Sequence, residues 1–305
     1  MVDVVVVGLV CRDLVVAVDE LPASGSAPVT HRGETLGGAA NIAVAARRLG
    51  RSAGLVGVVG QDAAASLVLD QARRDGLDLS GIVRRPSATT ALVVDVVEAD
   101  GTHRLLEHVP PEVLLTPGDV RAAAPLLATA RAVVADLQQP DPAVAETVRL
   151  AAAGGARVVL DGAPDEPGVL TDLLPSVAVL RADAEEAGAY LGRRVEGTAE
   201  AVDGARELLA AGPGVVALGA GADGNVVAWS GGHRVYPLLG DARDATGGGD
   251  AFVAGLLSAL LAGEDPGTAG WWASAAAALA VEQLGGRATL DPRQVADLAA
   301  RSARG

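Results

Sequence analysis

Asp244-Ala-Thr-Gly-Gly-Gly-Asp250-Ala-Phe252 runs directly into an apolar segment that ends at Ala262. The spacing predicts a glycine turn opening a buried helix over 251–262. Glycine lets the backbone come close to a ligand, and the first turn of a helix has free N–H groups and partial positive charge. Gly247, Gly248 and Gly249 therefore read as a cradle for an anion. Asp250 beside them would repel a bound phosphate, a poor arrangement for binding alone. It makes sense if the carboxylate takes a proton from a hydroxyl that attacks that phosphate. The competing reading is a glycine turn with an acid that complements the helix dipole.

Composition narrows the field. The chain has 305 residues, 50% of them hydrophobic, and is long enough to bury a large core. Its mean hydropathy of +0.34 comes from alanine, valine and leucine spread along the chain. The apolar run 251–262 is too short to span a bilayer, and Met1–Gly8 reads as a strand rather than a leader, so no membrane association is expected. One cysteine, Cys11, excludes an internal disulfide and suits a reducing cytoplasm. A net charge of −14 argues against nucleic acid as a partner. The chain has no lysine, which excludes a P-loop and Schiff-base chemistry. Phosphoryl transfer here must rely on backbone N–H groups, metal and arginine.

Moving outward, Val4–Val7 predicts a buried strand, with Asp13 just past its end, where open α/β sheets bind ligands. Asp13 could accept hydrogen bonds from two hydroxyls, or it could be a surface-turn residue. Strand-like runs at 14–18 and 29–35 precede Leu36-Gly-Gly-Ala-Ala-Asn41, which opens an alanine-rich helix. The runs 89–97 and 102–108 flank Asp100-Gly101, a hairpin signal. From residue 120 the pattern alternates strand and helix: strands at 132–135, 157–161 and 177–180, with a helix at 142–153. That alternation predicts a parallel sheet covered on both faces. Gly219-Ala-Gly221-Ala-Asp-Gly224 has the form of a dinucleotide fingerprint, but the strand-like 225–229 follows where a helix is required. The four histidines lack metal-ligand spacing. Aromatics are only 2% of the chain, leaving little to sandwich a nucleobase.

The 244–252 stretch resembles the C-terminal signature of the ribokinase-like (PfkB-type) carbohydrate kinases, Asp-Thr-x-Gly-Ala-Gly-Asp-x-Phe. Gly37-Gly38-x-x-Asn41-x-Ala43, with Gly50 and Gly60, is similar to the N-terminal signature in its shorter form. Two signatures in order, about 200 residues apart, are far more specific than either alone. The resemblance covers essentially the whole chain and implies a single three-layer α/β/α domain over 1–305. A small β-sheet lid would be formed by segments at about 12–36 and 87–109 and would mediate a homodimer.

The resemblance also implies ATP-dependent phosphorylation of a sugar hydroxyl of the ribose, fructose or ketoacid-sugar type. Asp250 would be the base, Gly247–Gly249 the anion hole, and Asp13, Gly37, Gly38 and Asn41 the sugar ligands. Asp183, Gly219, Gly221, Gly224, Thr246 and Ser274 would border ATP. Glu186 would organise Mg2+ through water, and a monovalent-cation site for K+ would lie near the second signature. Five departures stand out: Ala245 for threonine or proline, Gly248 for alanine, Cys11 for asparagine, Asp183 for asparagine and Gly219 for threonine. Ala39 and Ala40 stand where members acting on sugar phosphates often place a lysine, which favours an unphosphorylated acceptor. A nucleoside kinase of the same fold and a non-catalytic sugar sensor are the alternatives.

Overall fold

The computed structural model describes residues 1–164, 166 and 168–304. Its strands, in chain order, are β1 (Val2–Val7), β2 (Val10–Val18), β3 (His31–Gly38), β4 (Ala53–Gly60), β5 (Asp78–Arg85), β6 (Ala91–Glu98) and β7 (His103–His108). They continue as β8 (Ala130–Asp136), β9 (Arg157–Asp161), β10 (Val177–Ala182), β11 (Val215–Gly219), β12 (Asn225–Trp229) and β13 (Gly232–Tyr236). The described residues form a nine-stranded sheet ordered β13-β12-β11-β10-β9-β8-β1-β4-β5 and a four-stranded sheet ordered β3-β2-β6-β7. The large sheet is parallel from β11 to β5, and β12 and β13 close one edge antiparallel.

Why the middle strands are uninterrupted valine, leucine and alanine follows from this architecture. Side chains alternate between faces, and both faces are covered. Val4 and Val6 of β1 pack into one core with the helices Ala40–Arg48, Gly248–Ala262 and Pro266–Val281. Val5 and Val7 pack into a second core with the helices Asp141–Ala153 and Thr198–Ala210. The helix after Asp250 is buried almost all round, so a one-sided apolar stripe was never needed there.

The chain builds β1, β4 and β5 outward in one direction, then returns to place β8 on the other side of β1. The strand order therefore reverses between β1 and β8. In such sheets the ligand crevice lies outside the carboxyl ends of the strands at that reversal.

Three local readings change. Asp13 lies inside β2, paired with Thr35 and Val93, not in a turn. Only Gly8 and Leu9 separate β1 from β2, so the chain passes from one sheet to the other without a loop. Gly37 and Gly38 close strand β3 and do not form a loop before the helix. Strand β5 was not anticipated: it is an edge strand carrying Gly81, Arg84 and Arg85, and its charges break the alternation that marks a half-buried strand. The hairpin at 100–101 forms as expected, with Gly101 at φ +85° and the Glu98 N–H donating to the Thr102 carbonyl at 2.8 Å.

Candidate active site

Two cavities meet at the carboxyl ends of the strands. The first, of about 340 Å³, is lined by Asp13, Asn41, Asp136, Asp161, Arg181 and Asp250, among others. The second, of about 270 Å³, is lined by Phe252, Ser274, Ala278 and Val281 on one side and Asn225 and Leu238 on the other. Arg181 and Gly249 line both, so the helix start at 247–250 is the partition between them.

At that partition Gly247 has φ +77°, a left-handed conformation that glycine adopts without penalty. It points the next N–H groups out of the helix end. The Gly248 N–H is used internally, on the Ala245 carbonyl at 3.2 Å. Among the described residues those of Gly247, Gly249 and Asp250 have no acceptor. A β-carbon on Gly249 would lie 2.7 Å from Arg181 Nη2, so the guanidinium sits directly against the cradle.

Asp250 projects into the first cavity. Burial, helped by the negative charge of Asp161, pushes its carboxyl up to about 8; Arg181 and a hydrogen bond from Asn41 pull it back only in part. Three neighbouring strand ends face it. Asp136 closes β8, Asp161 closes β9 in register with it, and Arg181 near the end of β10 is in register with Asp161. Arg181 Nη1 donates to Asp161 Oδ1 at 3.1 Å and lies 3.6 Å from Glu186. Burial works against the guanidinium charge, but those carboxylates outweigh it and hold Arg181 protonated. Asp136 is raised to about 6 by burial, against hydrogen bonds from the N–H groups of Leu9 and Gln138.

Another wall of the first cavity is built by β2, β3 and the helix 40–48. Asp13 is 7% exposed, and burial raises its carboxyl to about 6. The Cys11 thiol donates to Asp13 Oδ1 at 3.0 Å; burial and the Asp13 charge keep that thiol protonated. A cysteine at position 11 therefore still orients the aspartate. Gly37 allows the fit, because a β-carbon there would fall 1.8–2.1 Å from the Asp13 carboxylate. Gly37→Ala is expected to displace Asp13 and lower kcat/KM about 100-fold for the substrate that enters the first cavity, the effect of a misplacement of an ångström or so. KM for a substrate held in the second cavity should not move, and steady-state kinetics against each substrate separates the two.

Gly38 and Asn41 also line the first cavity, and Asn41 Oδ1 is buried with no donor. Thr246 lines it as well, its hydroxyl donating at 2.8 Å to Asp95 of β6. That bond ties the small sheet to the 244–250 loop. Asp244 is buried beneath the loop and accepts from the N–H groups of Thr246 and Gly285. Ser274 faces the second cavity with its hydroxyl buried and unpaired.

The remaining sequence candidates are placed differently. Asp183 and Glu186 form a reciprocal capping box on the helix Ala184–Leu191, as acids at a helix start commonly do. Glu186 also lines the first cavity, whereas Asp183 lines neither. Gly219, Gly221 and Gly224 make the turn between β11 and β12 and line neither cavity; their neighbour Asn225 lines the second. Among the described residues no group of three or more histidine, cysteine or acidic side chains could hold a metal by itself, and no helix is long and apolar enough to cross a membrane.

Asp136, Asp161 and Arg181 escaped the sequence reading. Their signal was there: in Val-Val-Ala-Asp136, Val-Val-Leu-Asp161 and Ala-Val-Leu-Arg181 a single charge ends a buried apolar run. In a parallel sheet that position is the ligand edge.

Residues 1–293 match the family described as pfkB family carbohydrate kinase. The ATP-dependent ribose-1-phosphate kinase of Halopiger xanaduensis is 31% identical over 291 residues, covering 94% of each chain. The bifunctional ribokinase/ribose-5-phosphate isomerase A of Fructilactobacillus sanfranciscensis is 26% identical over 84% of this chain. The match spans 48% of that longer protein. In fold, the Arabidopsis thaliana ribokinase complexed with ribose and ATP superposes with a TM-score of 0.80 over 98% of both chains, at 22% identity.

Proposed function

The chain belongs to the pfkB family of ATP-dependent carbohydrate kinases, and we propose that its acceptor is a hydroxyl of an unphosphorylated sugar or related polyol held in the first cavity. The observation that carries this reading is the meeting of the two cavities at Gly249, with Asp250 on the acceptor side and Arg181 across from it. Nucleotide and acceptor would enter from opposite sides of the cradle.

In this reading Asp13 and Asn41 position the acceptor, with Gly37 and Gly38 giving the backbone room. Asp250 takes the proton of the hydroxyl as its oxygen attacks the γ-phosphorus. The bond from that phosphorus to the β–γ bridging oxygen breaks, and ADP carries away the electron pair. The N–H groups at 247–250 and the Arg181 guanidinium stabilise the charge that builds on the phosphoryl oxygens, where most of such catalysis lies. The adenosine end occupies the apolar second cavity, where the unpaired Ser274 hydroxyl supplies a polar contact. Thr246 contributes by holding the cradle loop. Asp183 acts through its cap on Glu186, and Gly219, Gly221 and Gly224 by shaping the turn that leads to Asn225.

The acids around Arg181 fit a divalent cation that arrives with the nucleotide. Mg2+ keeps most of its waters and needs few protein carboxylates, so Glu186 would hold it through water, beside Asp161. When bound it neutralises phosphate charge. We assign K+ to the loop that Asp244 braces, the small sheet to a lid that excludes water, and an intersubunit contact to that sheet. A cytoplasmic enzyme with small-molecule substrates fits the single reduced cysteine and the acidic surface.

The acidic lining speaks against ketoacid sugars and sugar phosphates as acceptors, since Asp13 and Glu107 would face their negative charge. Among the described residues no aromatic ring lines the first cavity, which speaks against a nucleoside. ADP release with Mg-ATP, against pentoses, hexoses, polyols, sugar phosphates and nucleosides, with and without potassium, tests the reading. Turnover of a neutral or cationic sugar is expected. Turnover confined to nucleosides or sugar phosphates would overturn it.

A further inference from the structure

The acceptor end of the first cavity has more negative charge than the reaction requires. Among the described residues six carboxylates line the cavity (Asp13, Glu107, Asp136, Asp161, Glu186 and Asp250), and Arg181 is its one cation. Arg181, Asp161 and Glu186 are paired among themselves at the phosphate end, where nucleotide and metal balance the charge. Asp136 is satisfied by backbone N–H groups, and Asp250 is the proposed base. Asp13 and Glu107 are left over. Among the described residues the only donor to Asp13 is the neutral Cys11 thiol, and the charges acting on it are those of Asp95 and Glu107, both negative. Glu107 has no hydrogen bond or ion pair among the described residues. It shares a face of β7 with Leu105, two residues away, and the two side chains look into the cavity together.

A second, independent feature points the same way. Asn41 is 5% exposed, its Oδ1 has no donor, and it lines this end of the cavity. Three side chains thus offer acceptors with no protein donor to balance them beyond one thiol. Hydroxyls donate one hydrogen each and bring no charge, whereas an ammonium offers three donors, no acceptor and a positive charge. A cavity lined by one sign of charge concentrates ligands of the other.

Building on the kinase reading above, we infer that the acceptor is a cationic amino sugar or aminocyclitol whose ammonium group is held between Asp13 and Glu107, with Glu107 as the specificity-determining residue.

The test pairs amines with their hydroxyl counterparts: glucosamine with glucose, galactosamine with galactose, streptamine with myo-inositol. N-acetylglucosamine serves as the amine stripped of its charge. ADP release is measured with the parent chain and with Glu107→Gln, and calorimetric binding with Asp250→Asn. The expected result is a kcat/KM at least about 10-fold higher for an amine than for its hydroxyl partner. Glu107→Gln should cut the amine value about 10-fold and the hydroxyl value less than about 2-fold. Equal or better use of the hydroxyl member, or a Glu107→Gln effect that is the same on both, overturns the inference while the kinase reading stands. Glu107-dependent binding of amines without turnover of any compound supports the inference and counts against the chemistry proposed for Asp250. Absence of both binding and turnover across the panel counts against both.

Discussion

Asp250→Asn is expected to lower kcat by about 10²–10⁴-fold, the usual contribution of a positioned general base, and to melt at a higher temperature than the parent chain. The gain in stability follows from the surroundings of the carboxyl. Burial next to Asp161 lifts it from 3.8 to about 8. Between those values the folded chain keeps a proton that the unfolded chain releases, so this group's contribution to stability falls as pH rises through that window. Asparagine removes the cost. A tenfold change in proton affinity corresponds to ~1.4 kcal/mol, and after relaxation and water entry a gain of about 2 kcal/mol at pH 8 is expected, or a few degrees in Tm. Melting curves of both proteins at pH 5 and pH 8 check the sign: the gap must widen with pH. The parent kcat/KM should climb toward pH 8, because only the ionised carboxylate accepts the proton. A mutant that is less stable than the parent at pH 8 would show that the carboxyl is not held in a strained, desolvated state.

Replacing Arg181 by methionine combines two losses. Removing a charge aimed at the transferring phosphoryl typically costs about 10²–10³ in kcat. The same change leaves the half-buried Asp161 without its partner at 3.1 Å; breaking one side of a fully buried pair costs about 3–5 kcal/mol, so a loss of about 1–3 kcal/mol is expected for this partly exposed one. The two effects can be separated. Arg181→Met combined with Asp161→Asn should recover most of the stability, since the Asp161 charge goes with its partner and Glu186 keeps the Asp183 N–H at 2.6 Å, and none of the rate. Arg181→Lys keeps the charge but loses the planar fork, so it should fall between the parent and the methionine variant. Denaturant unfolding and single-turnover rates on the four proteins give the comparison. Recovery of rate in the double variant would mean that Arg181 serves only to neutralise Asp161.

What could be read from the chain alone tracks how local the determinant is. The glycine turn with its helix to Ala262, the hairpin at 100–101 and the refusal of Gly219–Gly224 as a dinucleotide loop each depend on a few consecutive residues, and the structure has them, with the helix opening at Gly248 rather than at 251. The strand ends at 136, 161 and 181 become a site only through the register of three parallel strands, which no window of sequence contains. Asp95 is similar. In the sequence it is one acid in a valine-rich strand; in the fold it is 2% exposed and bonded to a threonine 151 residues away. Position 13 shows a different limit. The sequence marks Asp13 as a ligand candidate, but the short step from β1 to β2 hides that it sits within a strand of a second sheet. Asp183 and Glu186 are a case where two readings are compatible: the acids do cap their helix, and one of them still reaches the cavity.

The small sheet has a consequence for how such a chain can change over generations. Val93, Leu105 and Glu107, which roof the first cavity, come from β6 and β7, whereas Asp136, Asp161, Arg181 and Asp250 come from the large sheet and its helices. Under the proposed function, choice of acceptor and transfer of phosphate are thus inherited on separate stretches of chain. Mutations in a largely solvent-facing strand such as β7 can redraw the guest list without disturbing the chemistry, and a descendant can pass from one sugar to another by gradual drift. Position 95 is the exception. Through Thr246 it belongs to both halves, so a transplant of β6 from a relative has to bring along a partner for that hydroxyl or lose the grip on the cradle.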